Sequence, residues 1–311
     1  MRQALLTLAI VLSLVPGAQA SSRDPKRPTT QEINDIVKSV PDIYQKGVQA
    51  ALHKAGNNGR ALIQALGAAS SVEEKEALAF LIAHMPQRDL RSLDAAYLLE
   101  NVRYALKARH AAPWGKSIPE AIFLNDVLPY ATFNERRDNW RKDFYDRFMN
   151  PAAATGTIKD AVLMLNTESF KALQVQYHAT KRRKPDQSPY ESMQVHYASC
   201  TGLTIMLVDL LRAVGIPARA AGIPLWTNKS GNHTWVEVWD EGWHFVGAAE
   251  PEEYDKTWFA QQASETDPSR PEHRIYATSF KETGLAFPAI WCPKIHWIPA
   301  VDVTERYLKK K

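Results

Sequence analysis

The chain has 311 residues, of which 45% are hydrophobic and 23% charged, and its formal net charge is +4. This balance is typical of a globular protein with a sizeable core, which does not depend on disulfide bonds for stability. The small charge argues against a nucleic-acid-binding protein, because the one dense basic run, residues 181–184, precedes Pro185 in an expected solvated loop.

The first twenty residues have the pattern of a secretory signal peptide. Arg2 precedes an apolar run over residues 4–15, and Ala18-Gln19-Ala20 is a small-x-small cleavage site. The run is shorter than the ~20 apolar residues that span a bilayer. We therefore predict cleavage before Ser21, a secreted or periplasmic mature protein, and no integral membrane segment after cleavage.

Residues 21–150 predict a helical N-terminal region. Ser71 and Glu74 form a capping-box pattern before an apolar run. Trp140, Phe144 and Phe148 follow at i, i+4 and i+8, a spacing that places them on one helix face. Residues 151–157 are small and loop-like, so we predict a domain boundary there and assign residues 151–311 to a second region.

The second region changes from helix to strand. Residues 201–214 form an apolar helical segment that ends at Gly215 and Pro217. Three short β-like runs follow, at residues 218–223, 234–239 and 243–246. A helix followed by an antiparallel sheet indicates an α+β fold. The proline-bearing tail at residues 275–303 predicts edge strand and loop.

Cys200 is the candidate nucleophile. It stands at the N-terminus of the apolar helix, with Ser199 as N-cap, where unpaired N–H groups and the helix dipole favour a thiolate. The expected consequences are a lowered thiol pKa and an oxyanion site at the helix end. The alternatives are a small buried core cysteine or a disulfide with Cys292; we expect both cysteines to be free.

His233 is the candidate base. It begins a predicted strand after Gly231, so its side chain has a fixed direction, and thiol chemistry requires such a base. His244, inside the next strand, is a weaker alternative. His196 is close to Cys200 in sequence, on a segment whose direction the sequence leaves open.

Together these residues resemble the transglutaminase-like superfamily. The matching segments are Ser199-Cys200-Thr201-Gly202, Leu211 to Arg219 (LRAVGIPAR), Asn232 to Trp239 (NHTWVEVW), and Gly242-Trp243. The resemblance covers residues 190–260. It implies a papain-like core, in which a nucleophile helix packs on an antiparallel sheet, with Cys200 as nucleophile and His233 as base.

The third catalytic residue departs from the family pattern. An Asp-Pro pair is expected soon after the second strand, with the Asp near position 247, where this chain has Gly247. Glu250, followed by Pro251, keeps the acid–proline pairing three residues later. We predict Glu250 as the orienting carboxylate, with Asp240 in the hairpin turn as the alternative.

Two further site residues are predicted around this triad. Gln194, six residues before Cys200, resembles the papain oxyanion donor, and Tyr197 competes for that role. Trp226 is the candidate for a wall of the substrate cleft, although core packing is the default for the surrounding tryptophans.

The predicted function is a thiol enzyme that acts on amide bonds of proteins or peptides through a Cys200 acyl-enzyme, with hydrolysis favoured. The alternatives are an amine-accepting, cross-linking transglutaminase and a non-catalytic exported binding scaffold with the same fold. No acidic cluster has calcium-loop spacing, so no metal site and no cofactor are predicted. The oligomeric state stays open.

Overall fold

The computed structural model describes residues 27–250 and 253–308, and the predicted signal peptide and Ser21 lie outside these residues. The helices are Thr30–Val37 (α1), Asp42–Ala55 (α2), Gly59–Gly67 (α3), Val72–His84 (α4), Gln87–Leu90 (α5), Ala95–Ala111 (α6), Glu120–Ile122 (α7), Trp140–Ala154 (α8), Ile158–Leu173 (α9), Pro189–Val195 (α10), Cys200–Ala213 (α11), Ala260–Ser264 (α12) and Thr304–Tyr307 (α13). The strands are Gln176–Tyr177 (β1), Tyr197–Ala198 (β2), Ala218–Ile223 (β3), His233–Trp239 (β4), Trp243–Val246 (β5), Tyr276–Thr278 (β6), Leu285–Ala286 (β7) and Pro299–Asp302 (β8).

The main sheet has six antiparallel strands in the order β5-β4-β3-β6-β8-β7. β1 and β2 form a separate parallel pair. The α+β fold with a helical N-terminal region is therefore confirmed. The three strands predicted after the central helix agree with β3, β4 and β5, except that β4 begins one residue earlier, at His233.

α11 lies at the centre of the molecule. Its side chains from Thr201 to Ala213 are all buried, as expected for a helix that is apolar nearly all round. It packs on β3 and β4 on one side and on α8 on the other. This position fixes the helix N-terminus, and with it Cys200, against the sheet.

The helical N-terminal region and the sheet share one core. A single cluster of buried side chains extends from Ile33 in α1 to Ala248 after β5. The loop predicted at residues 151–157 is wrong in part, because α8 continues through Pro151 to Ala154. The buried side chains Phe148, Met149 and Ala152 hold this helix on the core despite the missing proline N–H.

The C-terminal tail enters the sheet more deeply than predicted. β6 and β8 are interior strands, and only β7 is an edge strand. Pro299 is tolerated because it is the first residue of β8, where a missing N–H disturbs the ladder least. Within residues 27–250 and 253–308, none of the helices combines the length and the apolarity that crossing a bilayer requires.

Candidate active site

A cavity of about 870 Å³ opens beside the N-terminus of α11. Its floor contains both Cys200 and His233. Its walls come from α9, β1, α11, the start of β4, the segment after β5 and the loop before α12. The lining residues are Asn166, Thr167, Phe170, Lys171, Gln174, Val175, Gln176, Tyr177, Leu203, Asn232, Thr234, Ala248, Ala249, Glu250 and Trp258. The structure therefore brings all three residues of the predicted triad to one cavity.

Cys200 is held where the helix begins. The Ser199 hydroxyl caps α11 by accepting a hydrogen bond from the Gly202 N–H at 3.1 Å, as predicted. The hydroxyls of Thr201 and Thr234 lie 3.3 Å apart, so the start of α11 and the start of β4 are in contact. This contact places the Cys200 thiol beside the strand that carries His233.

The expectation of a lowered Cys200 pKa is corrected by the structure. Burial raises the pKa of the thiol, because it penalises the thiolate. Hydrogen bonds from the Thr234 amide and from the amide and hydroxyl of Thr201 act against burial and lower the pKa. The effect of burial is larger, so the net shift is upward. The helix N-terminus alone therefore does not produce a resting thiolate.

His233 stands in an aromatic enclosure. The ring centroids of Trp258 and Phe259 lie 4.9 and 4.8 Å from that of His233, and Trp235 lies 5.8 Å away. Burial lowers the pKa of His233 to about 4. Nε2 is buried and has no hydrogen-bond partner among the described residues.

These two shifts define the resting state of the pair. With the pKa of Cys200 raised and that of His233 lowered, the thiol and the imidazole that line this cavity are both neutral at pH 7, and His233 Nε2 makes no hydrogen bond to the thiol. A neutral imidazole can accept the thiol proton as the sulfur attacks, which is general-base catalysis. Two neutral groups suit proton transfer during a reaction better than a preformed ion pair does.

Glu250 occupies the space that a side chain at position 247 would fill. A Cβ built on Gly247 would overlap the Glu250 carboxylate, with Oε2 as its nearest atom. β4 and β5 pair Val236 with Val246, so a side chain at 247 points to the same sheet face as Trp235 and His233. The carboxylate of Glu250 therefore takes the place at which the family pattern has its aspartate.

Asn166 in α9 fixes the segment that carries Glu250. Its buried amide nitrogen donates to the carbonyl oxygens of Gly247 at 2.8 Å and Glu250 at 2.7 Å, and its oxygen accepts from the Ala249 N–H at 2.8 Å. Ala249 has a positive φ of 63°, which this clamp stabilises. Sequence reasoning missed Asn166, because an asparagine in an amphipathic helix carries no signal of a partner about 80 positions away.

The two alternative site residues lie elsewhere. Asp240 follows the far end of β4 from His233, about 20 Å away at the strand rise of ~3.3 Å per residue, so it cannot orient that imidazole. The Nδ1 atom of His244 lies 2.7 Å from Asp255 Oδ2, and the ring stacks on Tyr254. His244 is therefore engaged in a separate contact.

Gln194 is not brought to the cavity. It is exposed on α10, and its side-chain oxygen accepts from Arg183 Nη1 at 2.8 Å. Tyr197 is not a cavity wall either, and its ring contacts His178. α10 ends at Val195, and its C-cap His196 has a left-handed backbone conformation. The amide side chains that do line the cavity beside Cys200 include Gln176 and Asn232.

Trp226 is a core residue and not a cleft wall. It is only 3% exposed and stacks parallel to Trp235, with ring centroids 6.1 Å apart. The tryptophan on the cavity wall is Trp258, which is 56% exposed. Trp258 covers the His233 ring and donates its indole N–H to Glu250 Oε1 at 2.9 Å, so it contacts both His233 and the Glu250 carboxylate. Its position in a loop gave no periodic pattern by which the sequence could identify it.

Cys200 and Cys292 are both free thiols. Among the described residues, no group of three or more His, Cys, Asp or Glu side chains is arranged to hold a metal ion.

Residues 152–248 match the family model described as the transglutaminase-like superfamily. This range includes Asn166, Cys200, His233 and Gly247, and ends before Glu250 and Trp258. The searches of curated proteins and of solved structures returned no match.

Proposed function

Because residues 152–248 form a transglutaminase-like domain, we propose that this protein is a thiol enzyme that cleaves amide bonds of proteins or peptides. The observation that carries the proposal is the shared cavity: a cysteine at a helix N-terminus and a histidine at a strand start meet there, inside the matched domain.

In the proposed acylation, His233 accepts the proton of the Cys200 thiol while the sulfur attacks the carbonyl carbon of the substrate amide. The backbone N–H at the start of α11 binds the oxyanion of the tetrahedral intermediate. The intermediate collapses when the C–N bond breaks, and the imidazolium returns the proton to the leaving amine or ammonia. A thioester on Cys200 remains.

In the proposed deacylation, water attacks the thioester with His233 as base, and releases a carboxylic acid and the thiol. Hydrolysis is favoured over cross-linking because an acceptor amine is cationic at neutral pH and needs an anionic subsite. Among the described residues of the cavity wall, the only carboxylate is Glu250, which already accepts a hydrogen bond from Trp258. Cross-linking would instead appear as incorporation of a labelled primary amine into product.

Glu250 is proposed to orient His233. Support comes from its carboxylate, which fills the space above Gly247 on the His233 side of the sheet, and from the Asn166 clamp that holds this segment. An orienting carboxylate holds the imidazole in one tautomer and stabilises the imidazolium that forms during proton transfer.

The test is covalent labelling with a thiol-directed acylating probe, followed by peptide mass spectrometry. We expect label on Cys200 and a loss of at least about 10³-fold in labelling rate in His233→Gln. Cys292→Ala is the matched control, since it removes the other free thiol and leaves the cavity intact. Label on Cys292 alone, or equal rates with and without His233, would refute the enzyme proposal and favour a binding scaffold.

Export is also proposed, from the signal-peptide pattern of residues 1–20. Sequencing of the N-terminus of protein recovered outside the cytoplasm should give Ser21 as the first residue. An N-terminus at Met1 would contradict export through this signal.

A further inference from the structure

A second cavity, of about 380 Å³, lies between the helical N-terminal region and the C-terminal strands. α2 and the chain that joins α4 to α5 form one side, and Phe280 and residues 297–299 form the other. Arg212, near the C-terminal end of α11, also lines it. Arg212 follows Cys200 by ~18 Å along the helix, at a rise of ~1.5 Å per residue, so this cavity is separate from the candidate active site.

Arg212 is a buried cation with hydrogen-bonding capacity left over. It is 3% exposed. Its Nε donates to the carbonyl oxygens of Asp126 and Ala218 at 3.1 and 3.0 Å, and its Nη1 donates to those of Pro129 and Ala131 at 3.4 and 2.9 Å. Nη2 makes no hydrogen bond among the described residues. A buried guanidinium with free N–H groups favours an anionic partner, because an isolated charge is costly away from water.

Two acids outside the cavity lining act on Arg212 without binding it. Asp126 and Asp209 both influence the pKa of its guanidinium, yet neither carboxyl forms an ion pair or a hydrogen bond with it. Burial raises the pKa of Asp126 to about 6 and that of Asp209 well above its ordinary value, which favours their neutral forms. Arg212 is therefore left without a bound counter-charge.

The remaining charges of the cavity are balanced. The charged lining residues are three cations and two carboxylates: Lys54, Arg137, Arg212, Asp89 and Glu282. Asp89 is fully buried and already paired, because its Oδ2 accepts a hydrogen bond from Arg137 Nε at 3.0 Å. Burial lowers the pKa of His84, which also lines the cavity, so this ring is neutral at pH 7. The lining therefore carries one excess positive charge.

Most of the remaining wall is apolar. Its largest side chains are Met85, Leu90, Phe133, Phe280, Trp297 and Ile298. Thr132 is an exception: it is 6% exposed, and its buried hydroxyl has no hydrogen-bond partner among the described residues. A volume of about 380 Å³ equals roughly a dozen water molecules at ~30 Å³ each. This size, with apolar walls and a few polar groups, is typical of a small-molecule site.

We propose that this second cavity binds a small monocarboxylate with an apolar body. The carboxylate accepts hydrogen bonds from Arg212 Nη2 and the Thr132 hydroxyl, and the body packs against the aromatic and aliphatic wall. A single negative charge matches the one excess positive charge of the lining, whereas a second would stay uncompensated in an apolar cavity. This site goes beyond the proposed function and does not depend on the chemistry of Cys200.

The first test measures the binding of three acids to the full mature chain by calorimetry: octanoate, 4-phenylbutanoate and indole-3-acetate. Each is compared with its own amide, which has the same size and no charge. We expect at least one acid to bind about 10-fold more tightly than its amide or better, since hydrogen bonds to a charged group are the stronger kind. The same acid should raise the Tm in a saturable manner. Equal binding of every acid and its amide, or no binding of any acid, would overturn the proposal.

Inorganic phosphate tests the apolar body. It carries negative charge without an apolar part, so we expect it to bind at least about 10-fold more weakly than the best acid. Phosphate that binds as tightly as the best acid would refute a site that depends on apolar contacts.

The position of the site is tested with a variant that fills the cavity. Arg212 itself holds four carbonyl groups, so its replacement would also affect folding. Ala50→Trp instead introduces a large side chain at an exposed lining position of α2, and should weaken binding of the best acid at least about 10-fold. The matched control is Gln49→Trp, at an exposed position of the same helix that does not line the cavity; it should keep the wild-type affinity.

Cys200→Ala separates this site from the active site. It should bind the acid as tightly as the wild type, even if Cys200 proves unreactive and the proposed function fails. Loss of binding in Cys200→Ala would place the acid in the other cavity. Equal affinities of Ala50→Trp and Gln49→Trp would likewise overturn the proposed site.

Discussion

At the scale of single residues, the Glu250 carboxylate occupies the position that a side chain at residue 247 would take. A methyl group at position 247 overlaps the end of the flexible Glu250 side chain, which can swing away at little cost in stability. Gly247→Ala should therefore displace the carboxylate and reduce kcat/KM about as much as Glu250→Ala, by roughly 10- to 10³-fold for loss of an orienting acid. Steady-state kinetics on an amide probe would measure both.

The double variant Gly247→Asp/Glu250→Ala returns a carboxylate to the family position and should regain most of the lost activity. Gly242→Ala is the matched control, since no atom lies within 4 Å of its added Cβ, and it should retain wild-type kinetics. If Gly247→Ala is as active as the wild type, the Glu250 carboxylate does not act at this position.

The lowered pKa of His233 predicts an unusual acid limit. With a pKa of about 4, the imidazole stays unprotonated, and so able to accept a proton, at pH values well below its ordinary pKa of 6.5. On the acid side, kcat/KM should therefore decline with a midpoint near pH 4 to 5. The pH dependence of kcat/KM reports the pKa values of the free enzyme. A limb centred near 6.5 would show that the ring is solvated in solution.

The same group links stability to pH. The folded pKa lies below the unfolded value, so between about pH 6.5 and pH 4 the unfolded chain binds more protons, and the free energy of unfolding falls as pH is lowered through this window. The contribution is on the order of 1 to 3 kcal/mol. His233→Gln should lose less stability between pH 7 and pH 4.5 than the wild type. Urea titrations at these two pH values would measure the difference, and identical losses would contradict the buried imidazole.

At the scale of elements, the C-terminal helix α13 supports β4, the strand that carries His233. The Trp235 indole N–H donates to the Tyr307 hydroxyl at 2.8 Å, and that hydroxyl donates to Glu237 Oε1 at 2.9 Å. Glu237 also pairs with Arg219 at 2.8 Å. Since Trp235 stacks on His233, this buried chain holds the aromatic layer behind the imidazole.

Tyr307→Phe should reduce the free energy of unfolding by about 1–3 kcal/mol, because it leaves two buried polar groups without their partner. Tyr276→Phe is the control, since it removes an exposed hydroxyl that donates to Pro271 at 3.0 Å, and its effect should be much smaller. Chemical denaturation compares the two variants. Equal effects would mean that the buried chain adds no stability of its own.

At the scale of the whole molecule, the helical N-terminal region shares its buried core with the helix that carries Cys200. Arg141 in α8 is buried and donates to the Arg212 carbonyl in α11 at 3.0 Å and to Asn101 in α6 at 2.6 Å. α11 packs directly against α8. Removal of α8 would expose an apolar face of α11, the helix that carries Cys200. It would also leave buried polar groups of α11 without their hydrogen-bond partners.

A chain that begins at Pro151 should therefore fail to fold cooperatively, whereas one that begins at Ser21 should show a single thermal transition. Circular dichroism with temperature measures both. A sharp transition in the shorter chain would support the boundary predicted near residue 150 as a true domain border, in spite of the shared core.

The sequence by itself determined the local features. Three features depend only on neighbours within a few residues: the N-capped helix that carries Cys200, the turns, and the alternation in β3, β4 and β5. Their residue patterns therefore identified these features, and with them the family motif. The resemblance also pointed to Cys200, His233 and the displaced acid Glu250, and these residues meet in one cavity.

Only the tertiary structure decided the features that depend on distant contacts. Burial reverses the expected shift of the Cys200 pKa, because desolvation is set by every element packed around the thiol. The position of each tryptophan also depends on distant contacts. Trp226, predicted to line the cleft, stacks on Trp235 in the core, whereas Trp258 covers His233 on the cavity wall. The Asn166 clamp joins segments about 80 positions apart, and no local pattern encodes a contact at that separation.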